Sequence, residues 1–201
     1  EADHNWRIKL PGRGHSSPVL WGKRLFITSG VEATGERLVL CVNSDDGTRL
    51  WSREFPAARH GKHELNSFAS STPAVDENRL YISWATPDEY IVIALDHDGR
   101  EIWRTDLGPS NVAHGFGASP IVHDDIVVVP NDQEGASSLV ALDCATGEIR
   151  WKVPRQGKSS YITPCVYRAE GGAAELIFTN WVHGITSIDH KTGEKKWELD
   201  I

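Results

Sequence analysis

Methionine is absent from all 201 residues, position 1 included. The chain is therefore expected to begin either after a removed leader or inside a longer reading frame. Only three cysteines occur, Cys41, Cys144 and Cys165, without C-x-x-C spacing. An odd count so spaced gives neither a disulfide framework nor a thiolate zinc site. They read as small buried residues, with Cys144 in a turn. No run of about 18 apolar residues is present, which excludes a membrane-spanning helix. Basic residues are outnumbered, 21 Lys and Arg against 28 Asp and Glu, for a net charge of −7. That balance excludes a protein that tracks nucleic-acid phosphates, which needs a basic face. Gly-x-Ser-x-Gly, a phosphate-binding loop and His-Glu-x-x-His are all missing. So is any stretch of helical periodicity. What remains is 39% hydrophobic and 24% charged, enough for a sizeable core.

What is present is a repeat. Gly-x-x-x-Trp occurs as Gly47/Trp51, Gly99/Trp103, Gly147/Trp151 and Gly193/Trp197, and Trp6 precedes the first copy at the same step. The tryptophans are 45, 52, 48 and 46 residues apart. A near-fixed period of this size marks repeated supersecondary units.

Residues 118–153 show one unit clearly. Ala118 to Val122 enters a short strand, and His123-Asp124-Asp125 is a tight turn. Ile126 to Pro130 is a β-branched run suited to a strand buried on both faces. Asn131 to Ser138 reads as a loop, and Leu139 to Leu142 as a third strand. Asp143 to Gly147 is a turn in which glycine supplies positive φ. Ile149 to Val153 alternates as a half-exposed fourth strand. Four antiparallel strands per repeat, repeated radially, make an all-β fold, a β-propeller of four-stranded blades. The expected boundaries are 15–55, 68–108, 117–155 and 160–201, with 1–14 as the outer strand of a preceding blade, its strand at Asn5 to Leu10. The turn position Asn43, Asp96, Asp143 or Asp189 can accept backbone N–H bonds. The small residue two places earlier (Cys41, Ala94, Ala141, Ser187) leaves room for a large ring. Each tryptophan is expected to dock neighbouring blades and to donate its indole N–H.

The motif Ala-x-Asp-x-x-Thr-Gly-x-x-x-Trp, complete at Ala141 to Trp151, resembles the tryptophan-docking motif of quinoprotein-type β-propellers, the PQQ-like repeat family. Asp189 to Trp197 matches with Ser187 in place of alanine. The copy at Asp96 lacks one residue, and Asn43 replaces the aspartate of the first. Segments such as Gly115 to Pro120 and Ser159 to Pro164 make the chain most similar to BamB-like exported bacterial proteins. The resemblance implies rings of seven or eight blades. This chain supplies about four blades and five outer strands, so it is expected to be half of a larger ring. Its raw blade faces predict self-association.

Two branches of the family imply different functions. A BamB-like scaffold would bind protein partners outside the cytoplasm, in the periplasm or after export. A PQQ-dependent oxidoreductase would hold PQQ and calcium and would use an adjacent cysteine pair, which is missing here. For that branch Asn180 and Trp181 would supply a cofactor floor, and Asn131-Asp132 would offer oxygen ligands to calcium. A third reading is a carbohydrate-binding propeller that stacks sugars on Trp84 and Trp181. The first reading is preferred, with no catalytic residues and no cofactor. Its ligand-facing candidates are His60, His63, Asn66, His114, Asn131, Asp132, Trp181 and His183, all expected in loops of one propeller face. His15, Asp88, Glu89 and Glu134 are expected on the same face. The spacing His60-x-x-His63 would let two imidazoles meet one metal, but in an irregular loop it reads as two solvated histidines, and no metal site is assigned. His97 and His190, in turns of the opposite face, are expected at the surface.

Overall fold

The computed structural model describes residues 4–200. It contains sixteen strands in four separate antiparallel sheets, each in sequence order from inner to outer strand. The first sheet comprises β1 (Val19–Trp21), β2 (Arg24–Gly30), β3 (Arg37–Asn43) and β4 (Arg49–Phe55). The second comprises β5 (Ala74–Val75), β6 (Arg79–Ala85), β7 (Tyr90–Asp96) and β8 (Glu101–Asp106). The third comprises β9 (Ile121–His123), β10 (Ile126–Asn131), β11 (Gly135–Asp143) and β12 (Ile149–Gly157). The fourth comprises β13 (Cys165–Arg168), β14 (Ala174–Asn180), β15 (Gly184–Asp189) and β16 (Lys195–Leu199). The fold is thus an all-β propeller arrangement of four blades. Short inner strands adjoin along a hollow of about 620 Å³ lined from Val19, Pro73, Ile121 and Thr163.

The continuous apolar runs follow from this stacking. Successive side chains of a strand point to opposite faces, and both faces of a middle blade meet a neighbour. In β10, Ile126 and Val128 pack toward the fourth blade, against Leu176 and Phe178. Val127 and Val129 pack toward the second, against Tyr90 and Val92. The second blade divides in the same way, with Leu80, Ile82 and Ile93 facing Phe26 and Val39 of the first. Outer strands have one wet face and alternate, as in β8 and β12.

The repeat motif builds the junctions. Cys41, Ala94, Ala141 and Ser187 lie opposite Trp51, Trp103, Trp151 and Trp197 in register. In each blade the register slips immediately after that pair. The rings of Trp51, Trp103 and Trp151 then seat on the glycine of the next blade. A Cβ on Gly147 would lie 2.6 Å from Trp103, and one on Gly193 would lie 3.0 Å from Trp151. The indole N–H groups of Trp51, Trp103 and Trp151 donate to the carbonyls of His97, Cys144 and His190, at 2.8, 2.9 and 2.9 Å. The glycine therefore serves twice, as a positive-φ turn residue (φ 74° at Gly147) and as the bare floor of a tryptophan seat.

Several expectations are corrected. Residues 5–10 form no strand, because they lie beside none of the four sheets as a hydrogen-bonded partner. Trp6 docks nonetheless: its ring lies 2.6 Å from where a Gly47 Cβ would stand, and Nε1 donates to Ser44 O at 2.8 Å. The remaining part of that expected segment, residues 1–3, lies outside the described residues. The expected loop 131–138 is confined to residues 132–134, because β11 extends to pair Gly135 with Gly157. β12 accordingly runs past 155. His190 is buried and His97 half-buried. Their carbonyls receive the indole N–H, and their rings fold back onto Ala174 O and Asp76 O. Cys165 is exposed, while Cys41 and Cys144 are buried.

Candidate functional site

The loops that join one blade to the next, with the hairpins joining second and third strands, form one face. Residues 56–73 and 107–120 lie against each other. Asn66 links them: its Nδ2 donates to His114 O at 2.8 Å, and its Oδ1 accepts from Ser67 N at 2.7 Å and from Ser70 Oγ. Gly115, at φ 86°, lets the second loop pass close to Lys62, where a Cβ would stand 2.8 Å from the lysine Cβ. Residues 158–164 complete the group, with Ser159 Oγ accepting from Ala113 N at 3.0 Å and Tyr161 Oη accepting from His114 N at 3.1 Å.

Between these loops lies a hollow of about 380 Å³ lined by His63, Leu65, Asn66, Ser70, His114 and Tyr161. The His63 and His114 rings meet edge to face at 5.4 Å, and His114 stacks on Tyr161 at 6.4 Å and 27°. His63 Nδ1 accepts from Leu65 N at 3.2 Å, which leaves the Nε2 proton for a ligand. A size near 400 Å³ with convergent polar groups and aromatic walls suits a small ligand or a few residues of a peptide.

Of the predicted residues, His63, Asn66 and His114 come together here. His60 does not: it lines a separate hollow of about 310 Å³ with Thr86, Asn111 and Val112. Its ring packs on Phe68 at 5.2 Å, and burial lowers its pKa. The two histidines of His60-x-x-His63 therefore share no ligand. Trp181 is 91% exposed and lines a third hollow, of about 430 Å³, with Ser160, Ile162 and Asn180. His183 is engaged elsewhere, its Nε2 2.6 Å from Gln156 O. Asn131 and Asp132 are buried rather than presented to solvent. The Asp132 carboxylate is taken by the Arg155 guanidinium, with Nε 2.7 Å from Oδ1 and a second bond from Nη2 to Oδ2. A carboxylate so paired in the interior must keep its partner, so it is not a free calcium ligand. Trp84 is buried against Phe55 at 5.5 Å, so it cannot be a sugar-stacking platform. Glu134 is held by Ser159, whose N–H and hydroxyl lie 3.1 and 3.0 Å away, and these bonds lower its pKa.

Tyr161, Ser70 and Gly117 were missed, although a signal exists. Each stands three residues before the proline that opens the first strand of its repeat (Pro164, Pro73, Pro120), as His15 does before Pro18. Equivalent loop positions of three successive blades thus line one hollow. None of the three hollows is lined by an aspartate, glutamate, lysine or arginine. The site offers imidazoles, amides, hydroxyls and aromatic faces, but no charge that is fixed at neutral pH.

Comparison with known proteins places these features. The sequence model of the family described as outer membrane protein assembly factor BamB matches residues 3–201. A polyvinylalcohol dehydrogenase of Pseudomonas sp is 26% identical over 163 residues, which cover 73% of this chain and 24% of that enzyme. The crystal structure of BamB from Moraxella catarrhalis superposes with a TM-score of 0.66 at 16% identity, over 98% of this chain and 54% of that one. The quinohemoprotein alcohol dehydrogenase from Comamonas testosteroni gives 0.65 at 15%, over 94% and 35%. The chain therefore spans about a quarter of the polyvinylalcohol dehydrogenase's length and about half of the Moraxella BamB chain.

Proposed function

The chain belongs to the BamB family of PQQ-like repeat propellers, and from that premise we propose that it is a non-catalytic binding module, working outside the cytoplasm, which holds a protein partner on its loop face. The observation that carries this reading is the charge-free lining of the His63–His114–Tyr161 hollow. Aromatic and imidazole faces with amide and hydroxyl groups suit the backbone and the neutral side chains of an extended peptide. They suit PQQ and calcium poorly. Calcium takes six to eight oxygen ligands, carboxylates among them, and PQQ is a polycarboxylate that calls for cationic partners. No lining residue is of either kind, and Asp132 is committed to Arg155.

The similarity to a polyvinylalcohol dehydrogenase supports a second reading. In it the chain is the non-reacting part of an oxidoreductase propeller whose cofactor ligands lie in other blades. Incubating the full-length protein with PQQ and calcium separates the two. The scaffold reading predicts no quinone absorbance carried through gel filtration, together with saturable binding of neutral, aromatic-bearing extended peptides that His114→Ala weakens. Stoichiometric quinone uptake with dye-linked alcohol oxidation would overturn it.

A further inference from the structure

We infer that His123, Asp124 and His190 form a divalent transition-metal site, of the zinc type, that joins the third blade to the fourth. The site lies on the turn side of the propeller, opposite the hollows. His123 and Asp124 come from the β9–β10 hairpin and His190 from the β15–β16 turn. One donor atom from each of the three lies within 4.8 Å of the others. His190 Nε2 is 3.3 Å from Asp124 Oδ2, and His123 Nε2 is 3.7 Å from the same oxygen. Zinc with bonds of about 2.0–2.1 Å in a tetrahedron sets its ligand atoms about 3.3 Å apart.

Two observations point to a cation at this place. First, both Nε2 atoms are buried and neither has a hydrogen-bond partner, although the carboxylate is near. The His190 side chain is only 7% exposed. Nε2 lies 3.3 Å from Asp124 Oδ2 without a hydrogen bond to it, and tetrahedral coordination requires each donor to aim off its fellow ligands. Second, His190 Nδ1 is 2.8 Å from Ala174 O, which fixes the proton on Nδ1 and leaves Nε2 a lone pair. A lone pair this near a carboxylate is repulsive without a cation beside them, and a backbone carbonyl behind a ring is the usual outer-shell support of a ligating histidine. Asp124 itself has φ 51° as the first residue of a two-residue hairpin turn, the place Gly22 takes at φ 58° in the first blade.

The repeat itself does not explain the cluster. The equivalent slots hold Trp21 and His97 at the first junction, with ring centroids 6.2 Å apart. At the second they hold Cys144 and Asp76, and the Asp76 carboxylate accepts from the Tyr81 hydroxyl at 2.7 Å. The third junction alone among the described ones brings two imidazoles together, edge to face at 5.2 Å, with a carboxylate beside them. Asp124 is 53% exposed on its side chain, which leaves the fourth position open to solvent.

The test is calorimetric titration of the chelator-treated protein with zinc, and with cobalt as a spectroscopic stand-in. One equivalent should bind, raise the unfolding temperature and give the strong visible bands of tetrahedral cobalt. Asp124→Gly removes the ligand while easing the backbone, so it should leave the metal-free protein no less stable yet weaken zinc binding by about a hundredfold. His123→Ala should do the same to binding, and neither variant depends on the buried His190. The double variant His63→Ala, His114→Ala should keep the full equivalent. Failure to bind, binding unmoved by Asp124→Gly and His123→Ala, or loss of the equivalent in the His63/His114 variant would each overturn the assignment.

Discussion

Trp151 and Trp197 hold the same place in consecutive repeats, and their surroundings differ. Trp151 is 7% exposed and donates to His190 O in the next blade. Trp197 is 43% exposed and turns its N–H back to Glu175 of its own blade at 3.0 Å. What differs is the neighbour: Trp151 has Gly193 to rest on, and within this chain Trp197 has no following glycine. The motif is therefore half of a contact. It becomes core only where a second copy supplies the floor, as expected of repeats stabilised by nearest-neighbour interfaces.

The largest expected effect breaks that contrast directly. Trp151→Ala should cost about 3–5 kcal/mol through the cavity opened between the third and fourth blades. Trp197→Ala should stay within about 1 kcal/mol, both read as shifts of the denaturant midpoint. Equal losses would mean that the tryptophan acts within its own blade. Next is the floor of the seat. Gly147→Ala meets both the positive φ and the Trp103 ring at 2.6 Å, whereas Gly22→Ala, at φ 58°, has nothing within 4 Å. Gly22→Ala should cost about 1 kcal/mol from the backbone alone, and Gly147→Ala about 1–3 kcal/mol more from overpacking. Indistinguishable costs would remove the steric role of the floor.

The smallest effect concerns the turn beneath the seat. Burial works to raise the pKa of Asp143, but the Arg150 guanidinium and the Thr146 and Ala145 N–H groups outweigh it, and the net shift is downward. A carboxylate with a depressed folded-state pKa stabilises above its unfolded value of about 3.9, and that stability is lost as pH falls through the folded value. The advantage of the parent over Asp143→Asn in urea titrations should therefore be full at pH 7 and fade below about pH 4. An advantage that persists at pH 2 would refute the charge-based account.

Much of this fold is legible in the chain because a propeller repeats its instructions. The β-branched run at Ile126 to Val129 announces a strand wetted on neither face, and Asp143 with Gly147 announces the turn. The functional face was less legible. Asn66 belongs to the hollow mainly as a staple between loops, and Tyr161 was overlooked because its position has meaning only once three loops converge. His190 was read as a turn residue on the surface. Its ring is drawn inside because the backbone at that step must present a carbonyl to Trp151, which leaves the side chain to fold under β14.

The repeat, the four strands of each blade and the pairing of tryptophan with glycine are all written in the chain, since they rest on side-chain period, turn chemistry and ring size, all local properties. Which residues meet across blades is set by the packing of the blades: His63 with His114 and Tyr161, and His123 and Asp124 with His190. Those partners lie far apart along the chain, and the angle at which one blade seats on the next sets their distances.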